Sequence, residues 1–229
     1  LTQIITDLMS LGQKAFGANV EIEFAVNIPL DNSKPKEFNF LQIRPMVVGR
    51  EALQINFDEP GESWCFSKRT IGNGLYENIY DIIYVDPGAF QLSDSVQIAQ
   101  EIGELNSMLF QEGRRCILVG FGRMGTTDRW LGIPLTWEQM SQALIIVEVD
   151  RKDLRPEPSL GSHFFHNLTA TSMGYFHIQY DNDAAGKLDW DWLVSQPVLR
   201  QSKYVRLVRR EEPFKAKVDG RTFNGIIYK

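Results

Sequence analysis

The sequence has little cysteine and little histidine. Cys65 and Cys116 are the only cysteines among 229 residues, and neither belongs to a CxxC pair. That excludes a disulfide framework and a cysteine-built zinc site, and it fits a reduced, cytoplasmic protein. The histidines are His163, His166 and His177. The first two have the i, i+3 spacing that lets imidazoles meet on one helical turn. The nearby acids Glu157, Asp181 and Asp183 show no ligand spacing, so packing or a substrate hydrogen bond is the expected role. Positive charge is not in excess: 24 Lys+Arg face 29 Asp+Glu, a net −5. This argues against a nucleic-acid or anionic-membrane partner. No apolar run approaches the ~18 residues of a membrane span. The opening LTQIITDLMSLGQ has neither a basic region nor a small-residue cleavage site, so it is not a signal peptide. It also lacks an initiating Met and reads as a piece of a longer chain. Asn167-Leu-Thr matches the glycosylation triplet, which without a secretion signal is a chance match.

Aromatic residues are plentiful, with 14 Phe, 7 Tyr and 5 Trp in a chain that is 43% apolar. Such a chain folds around a core. Ile5, Leu8, Met9 and Phe16 sit near helical spacing over 2–16. VEIEFAV (20–26) alternates strictly, and after a Pro-containing loop FLQIRP (40–45) alternates again, which predicts an antiparallel hairpin. Its apolar face carries Val20, Ile22, Phe24 and Val26. Its polar face carries Glu21, Glu23, Phe40, Gln42 and Arg44.

Periodicity weakens over 47–62, so residues 1–48 and 49–229 are expected to be separate domains. Beyond the boundary, strands are predicted at 79–85, 116–119, 144–149, 175–180, 204–208 and 223–228. Helices are predicted at 94–112, capped by Ser93, around 136–143, with Thr136 and Gln139 at capping-box spacing, and at 189–194. The alternation predicts an α/β (or α+β) mixed-sheet domain. Arg206, Arg209 and Arg210, next to Glu211 and Glu212, read as a solvated face.

Gly120-Phe-Gly122-Arg-Met-Gly125 spells GxGxxG after a short strand, but TTDRWLGIPLT follows where a dinucleotide fingerprint needs a helix. Backbone amides at Gly120, Gly122 and Gly125 beside Arg123 and Arg129 would still suit an anion. The competing reading is that the arginines pair with Asp128 and the loop only crosses a sheet edge.

VEIEFAVN…FNFLQIRPM resembles the end of the ATP-grasp domain in the phosphoenolpyruvate synthase/pyruvate phosphate dikinase family, which closes on an acidic IEF strand and an LQxRP strand. FSKRTIGNG, DIIYVDP, ILVGFGRMGTTDRWLGIP and LGSHFFHNL…MGYFHI resemble a region that follows the ATP-grasp part in large bacterial proteins of this kind. The resemblance implies a helix and hairpin from one wall of an Mg·ATP site. In it Glu23 and Gln42 would contact metal and phosphates, and Arg44 would contact the transferring phosphoryl group, with Glu21 a weaker match. The opposite half of the nucleotide site, with its lysine and arginine, is not in this sequence, nor is the family's Thr-Ser-His-Ala phosphohistidine segment. The chain alone is therefore expected to be catalytically silent. The alternative function is a non-enzymatic domain recognising a phosphorylated metabolite or a partner through Gly120–Arg129.

Overall fold

A computed structural model describes residues 1–16, 20–29, 31, 35–45, 63–157 and 173–229. The chain divides into two compact units, Leu1–Arg50 and Glu51–Lys229. The predicted boundary stretch 47–62 lies outside the described residues.

The first unit is helix α1 (Thr2–Phe16) on an antiparallel pair, β1 (Val20–Asn27) and β2 (Glu37–Pro45). The helix meets the strands at Gly12. A Cβ there would overlap Ile43 Cδ1 and come within 3.0 Å of Val20 Cγ2. Glycine is what permits the approach and the burial of Val20.

The second unit is a mixed ten-stranded sheet. Its parallel part is β5 (Gly74–Val85), β6 (Cys116–Phe121), β9 (Ala143–Val149) and β10 (Gly174–Ile178), in that order. Ile82, Ile83, Leu118, Ile146 and Val147 are fully buried, as a sheet covered on both faces requires. Helix α2 (Ser95–Gln111) makes the β5–β6 crossover. The loop between β6 and β9 carries the two-residue parallel pair β7 (Arg123–Met124) and β8 (Gly132–Ile133). On the other side of β5 lies β13 (Val205–Asp219), followed by β14 (Asn224–Tyr228), β3 (Ser63–Ser67) and β11 (Gly186–Leu188), each antiparallel to its neighbour. β12 (Val198–Gln201) pairs with the start of β13.

The sheet curls into a half-barrel because one segment touches both ends. β3 lies at one end, and only two residues later β4 (Thr70–Ile71) pairs with β10 at the other. Ser67 Oγ donates to the His177 carbonyl at 2.7 Å, and the His177 amide donates to the Arg69 carbonyl at 3.0 Å. The concave side is set by Phe176: a Cβ on Gly225 of β14 would come within 2.7 Å of its ring, although four strands separate β14 from β10 along the sheet. Strand alternation then puts Tyr175 and His177, with Glu148, on the convex side.

Four expectations change. α2 starts one residue after Asp94 rather than at a Ser93 cap, and Asp94 instead accepts the Tyr204 hydroxyl at 2.6 Å. The predicted 136–143 helix is a single 3₁₀ turn, Glu138–Met140, though Gln139 Oε1 still accepts the Thr136 amide. The arginines read as a solvated face are tied down: Arg206 pairs with Asp86 at 2.9 Å, Arg209 with Asp81 at 2.6 Å, and Arg210 lies over Phe214. The strand they begin continues through Phe214, Ala216 and Val218, all buried. Helix α3 (Trp190–Ser195) is capped by Asp189, which accepts the Trp192 amide at 3.0 Å.

Candidate functional site

The hairpin register pairs Glu23 directly with Gln42, and Glu21 with Arg44 one step along. Directly opposed residues of an antiparallel pair hold their Cβ atoms only about 4.5–5.5 Å apart on one face. A carboxylate and an amide therefore emerge side by side. Both offer hard oxygen donors, which suits Mg²⁺. That ion typically takes one or two protein ligands and leaves its other positions to phosphate and water. The pair fits such an ion as a partial ligand set.

Immediately beyond Glu23 the register slips. Phe24 faces Phe40, and Leu41 is the extra residue of a β-bulge. This corrects the face assigned to Phe40 by strict alternation. It belongs with Phe24 and Val26 on the apolar side, where the Phe24 and Phe38 rings stack at 5.1 Å. The bulge ends the polar stripe, so Glu21, Glu23, Gln42 and Arg44 form a short patch rather than a whole face.

The glycine-rich loop uses most of its donors internally. The amides of Gly122, Arg123 and Gly125 donate to the carbonyls of Val149, Leu131 and Ile133. The amide of Met124 donates to Glu148 Oε1 at 2.7 Å. Arg129 reaches the Ser93 carbonyl at 2.6 Å and lies over the Trp130 ring. Asp128, the expected partner of the arginines, instead accepts the Trp130 amide. Gly120 has a packing role, since a Cβ on it would press on Met124 Sδ and Ile133 Cδ1 where the loop folds back over the sheet. Gly122 and Gly125 adopt φ values of 66° and 77°, which other residues resist. Neither a helix nor a row of amides left over for an anion follows this GxGxxG.

The convex face of β9 and β10 carries a buried polar ladder. Glu148 Oε2 accepts the Tyr175 hydroxyl at 2.6 Å, and His177 Nε2 lies 3.1 Å from Asp150 Oδ1 with both side chains more than nine-tenths buried. The other ring nitrogen of His177 is buried without a hydrogen-bond partner. Of the three histidines only His177 is placed here; His163 and His166 lie outside the described residues. Asp150 escaped notice in the sequence. Its signal was its position just after the apolar run IIVEV, at the carboxyl end of a parallel strand, where open α/β sheets gather ligands.

Among the described residues no three histidine, cysteine, aspartate or glutamate side chains gather as a metal site. No described helix is long and apolar enough to cross a membrane. Comparison with protein-family models, with curated proteins and with solved structures finds no match to this chain.

Proposed function

We propose that this chain is part of an ATP-dependent phosphotransferase resembling phosphoenolpyruvate synthase and pyruvate phosphate dikinase, and that its hairpin forms one wall of the Mg·ATP site. The observation that carries the reading is the register. The acidic IEF strand and the LQIRP strand pair so that Glu23 meets Gln42 and Glu21 meets Arg44. A slip of one residue would have sent the two strands' polar residues to opposite faces.

In this role the Glu23 carboxylate and the Gln42 amide oxygen hold the metal, which neutralises charge on the phosphates. The guanidinium of Arg44 supplies a fixed positive charge to the phosphoryl group in transit. Such charge stabilisation is commonly the largest contribution a protein makes to phosphoryl transfer. The opposite wall and the phosphate acceptor come from elsewhere in the functional protein, so this chain by itself is silent. The cytoplasm is the proposed setting, which suits two unpaired, buried cysteines.

The test is phosphoryl transfer in a protein that carries both walls. Arg44→Ala should lower kcat by about 10²–10³, the usual cost of removing one transition-state charge partner, while leaving Mg·ATP affinity within a few-fold. Unchanged turnover in that variant would remove the reading.

A further inference from the structure

A cavity of about 410 Å³ opens where the carboxyl ends of β6, β9 and β10 face β11 and the start of α3. It occupies the mouth of the curled sheet, a place where both α/β sheets and β-barrels bind small molecules. Its floor is apolar: Phe121, Val149, Ile178 and Leu188, with the Trp190 indole stacked on Phe121 at 5.3 Å.

The rim groups are polar and fixed in place. Arg151 donates from Nη1 to the Pro87 carbonyl at 3.1 Å and lies over the Phe90 and Phe121 rings, so its guanidinium plane is set, yet its side chain keeps 31% exposure. The Asp150 carboxylate is oriented by His177 from behind the strands. Gln179 Oε1 is held by the Asn182 amide at 3.0 Å. Charge on the rim nearly cancels: Asp150, Asp153, Asp181 and Asp183 stand against Arg151, Lys152 and Lys187.

Each ligand class meets this wall differently. A purely apolar molecule would strip water from the rim charges without replacing their hydrogen bonds. A polyanion would meet four carboxylates, and a polycation three bases. A neutral ring bearing several hydroxyls satisfies all of it. Its C–H face lies on an aromatic floor, and each hydroxyl both donates and accepts, so neighbouring hydroxyls can serve a carboxylate, a guanidinium and an amide together. We propose that the mouth of the half-barrel, between Trp190 and the Asp150–Arg151–Gln179 rim, binds a neutral sugar ring. Asp150, Arg151 and Gln179 read its hydroxyls, and His177 is a positioning residue that holds Asp150. This site is independent of the hairpin and of the phosphotransferase reading.

Saturation-transfer NMR on this chain tests it, with D-glucose, D-galactose and D-mannose as probes and glucose 6-phosphate and putrescine as charged comparators. At least one neutral hexose should receive saturation at its ring C–H protons. Trp190→Ala should weaken binding by about tenfold or more. Because Trp190 packs on Phe121, Gln179→Ala is the second variant, chosen to leave the floor intact and expected to weaken the same hexose several-fold. Tryptophan fluorescence and circular dichroism establish that both are folded. Absence of saturation in all three neutral hexoses would overturn the proposal. So would saturation of the charged comparators alone, or full-strength hexose binding by folded Gln179→Ala. Mg·ATP binding by a protein with both hairpin walls should be unaffected by Gln179→Ala, so failure here and failure of the phosphotransferase reading are separately visible.

Discussion

Replacing Asp81 by alanine removes the centre of the ion cluster that joins β5 to its neighbours. Asp81 is fully buried, and each carboxylate oxygen takes one guanidinium Nε at 2.6 Å, from Arg114 just before β6 and from Arg209 on β13. Arg209 also reaches Glu112 at the end of α2. A buried ion pair that loses one partner costs about 3–5 kcal/mol, because the remaining charge stays poorly solvated. The two guanidinia keep 31% and 28% exposure. Water therefore recovers part of that loss, and the expected cost is near the lower limit, about 3 kcal/mol. For a unit of this size that corresponds to a fall in Tm of about 6–12 °C. All five tryptophans lie in the second unit, so their fluorescence during urea unfolding follows that unit alone. In a double-mutant cycle Asp81→Ala and Arg209→Ala should couple by about 1–2 kcal/mol. A change below about 0.5 kcal/mol in Asp81→Ala, the range of an ordinary surface substitution, would refute the reasoning.

Two further outcomes follow from the second unit. At Gly132 φ is 156°, and a Cβ would run into the Arg123 backbone that pairs with it, whereas at Gly74, with φ 140°, a Cβ meets nothing within 4 Å. Gly132→Ala should therefore cost at least about 2 kcal/mol more than Gly74→Ala, which bears conformational strain alone; equal midpoints in urea would contradict the close β7–β8 approach. The Trp192 amide bonded to the Asp189 carboxylate, with Lys229 beside it, holds that carboxyl below its usual range despite the opposing cost of burial. A carboxyl lowered in the folded state stabilises above its unfolded pKa, near 4, and loses that contribution as pH falls through its folded value. The stability gap between the protein and Asp189→Ala should be about 1 kcal/mol at pH 6, the usual worth of a helix cap, and should shrink at pH 2.5. A gap that stays constant across that range would show the charge to be irrelevant.

Local pattern made some elements legible and hid others. Helix α1, strand β1 and the parallel strands β6 and β9 were readable because their signals are short-range: helical spacing in 2–16, alternation in VEIEFAV, apolar runs in CILV and IIVEV. The bulge at Leu41 was not. FNFLQI is compatible with strict alternation, and only pairing against β1 reveals the extra residue. The second half of β13 was hidden by RREEP, although Phe214, Ala216 and Val218 alternate with lysines as a half-buried strand should. The pairing of β3 with β14 joins residues from opposite ends of the second unit and leaves no local trace. The same holds for the candidate sites. Glu23, Gln42 and Arg44 stood out through a compact motif, whereas Asp150 depends on the parallel register of β9 and β10. The glycine-rich loop misled because a sequence names backbone amides without saying which are already bonded.

The most direct measurement is calorimetric titration of Mg·ATP into a protein carrying this hairpin with the opposite half of the nucleotide site, beside its Glu23→Ala and Gln42→Ala variants and beside this chain alone. The phosphotransferase account predicts binding that each substitution weakens by about tenfold or more, roughly the free energy of one charge-assisted contact, and no binding by this chain alone. Equal affinity in the two variants, or binding by this chain that Glu23→Ala leaves unchanged, would contradict it.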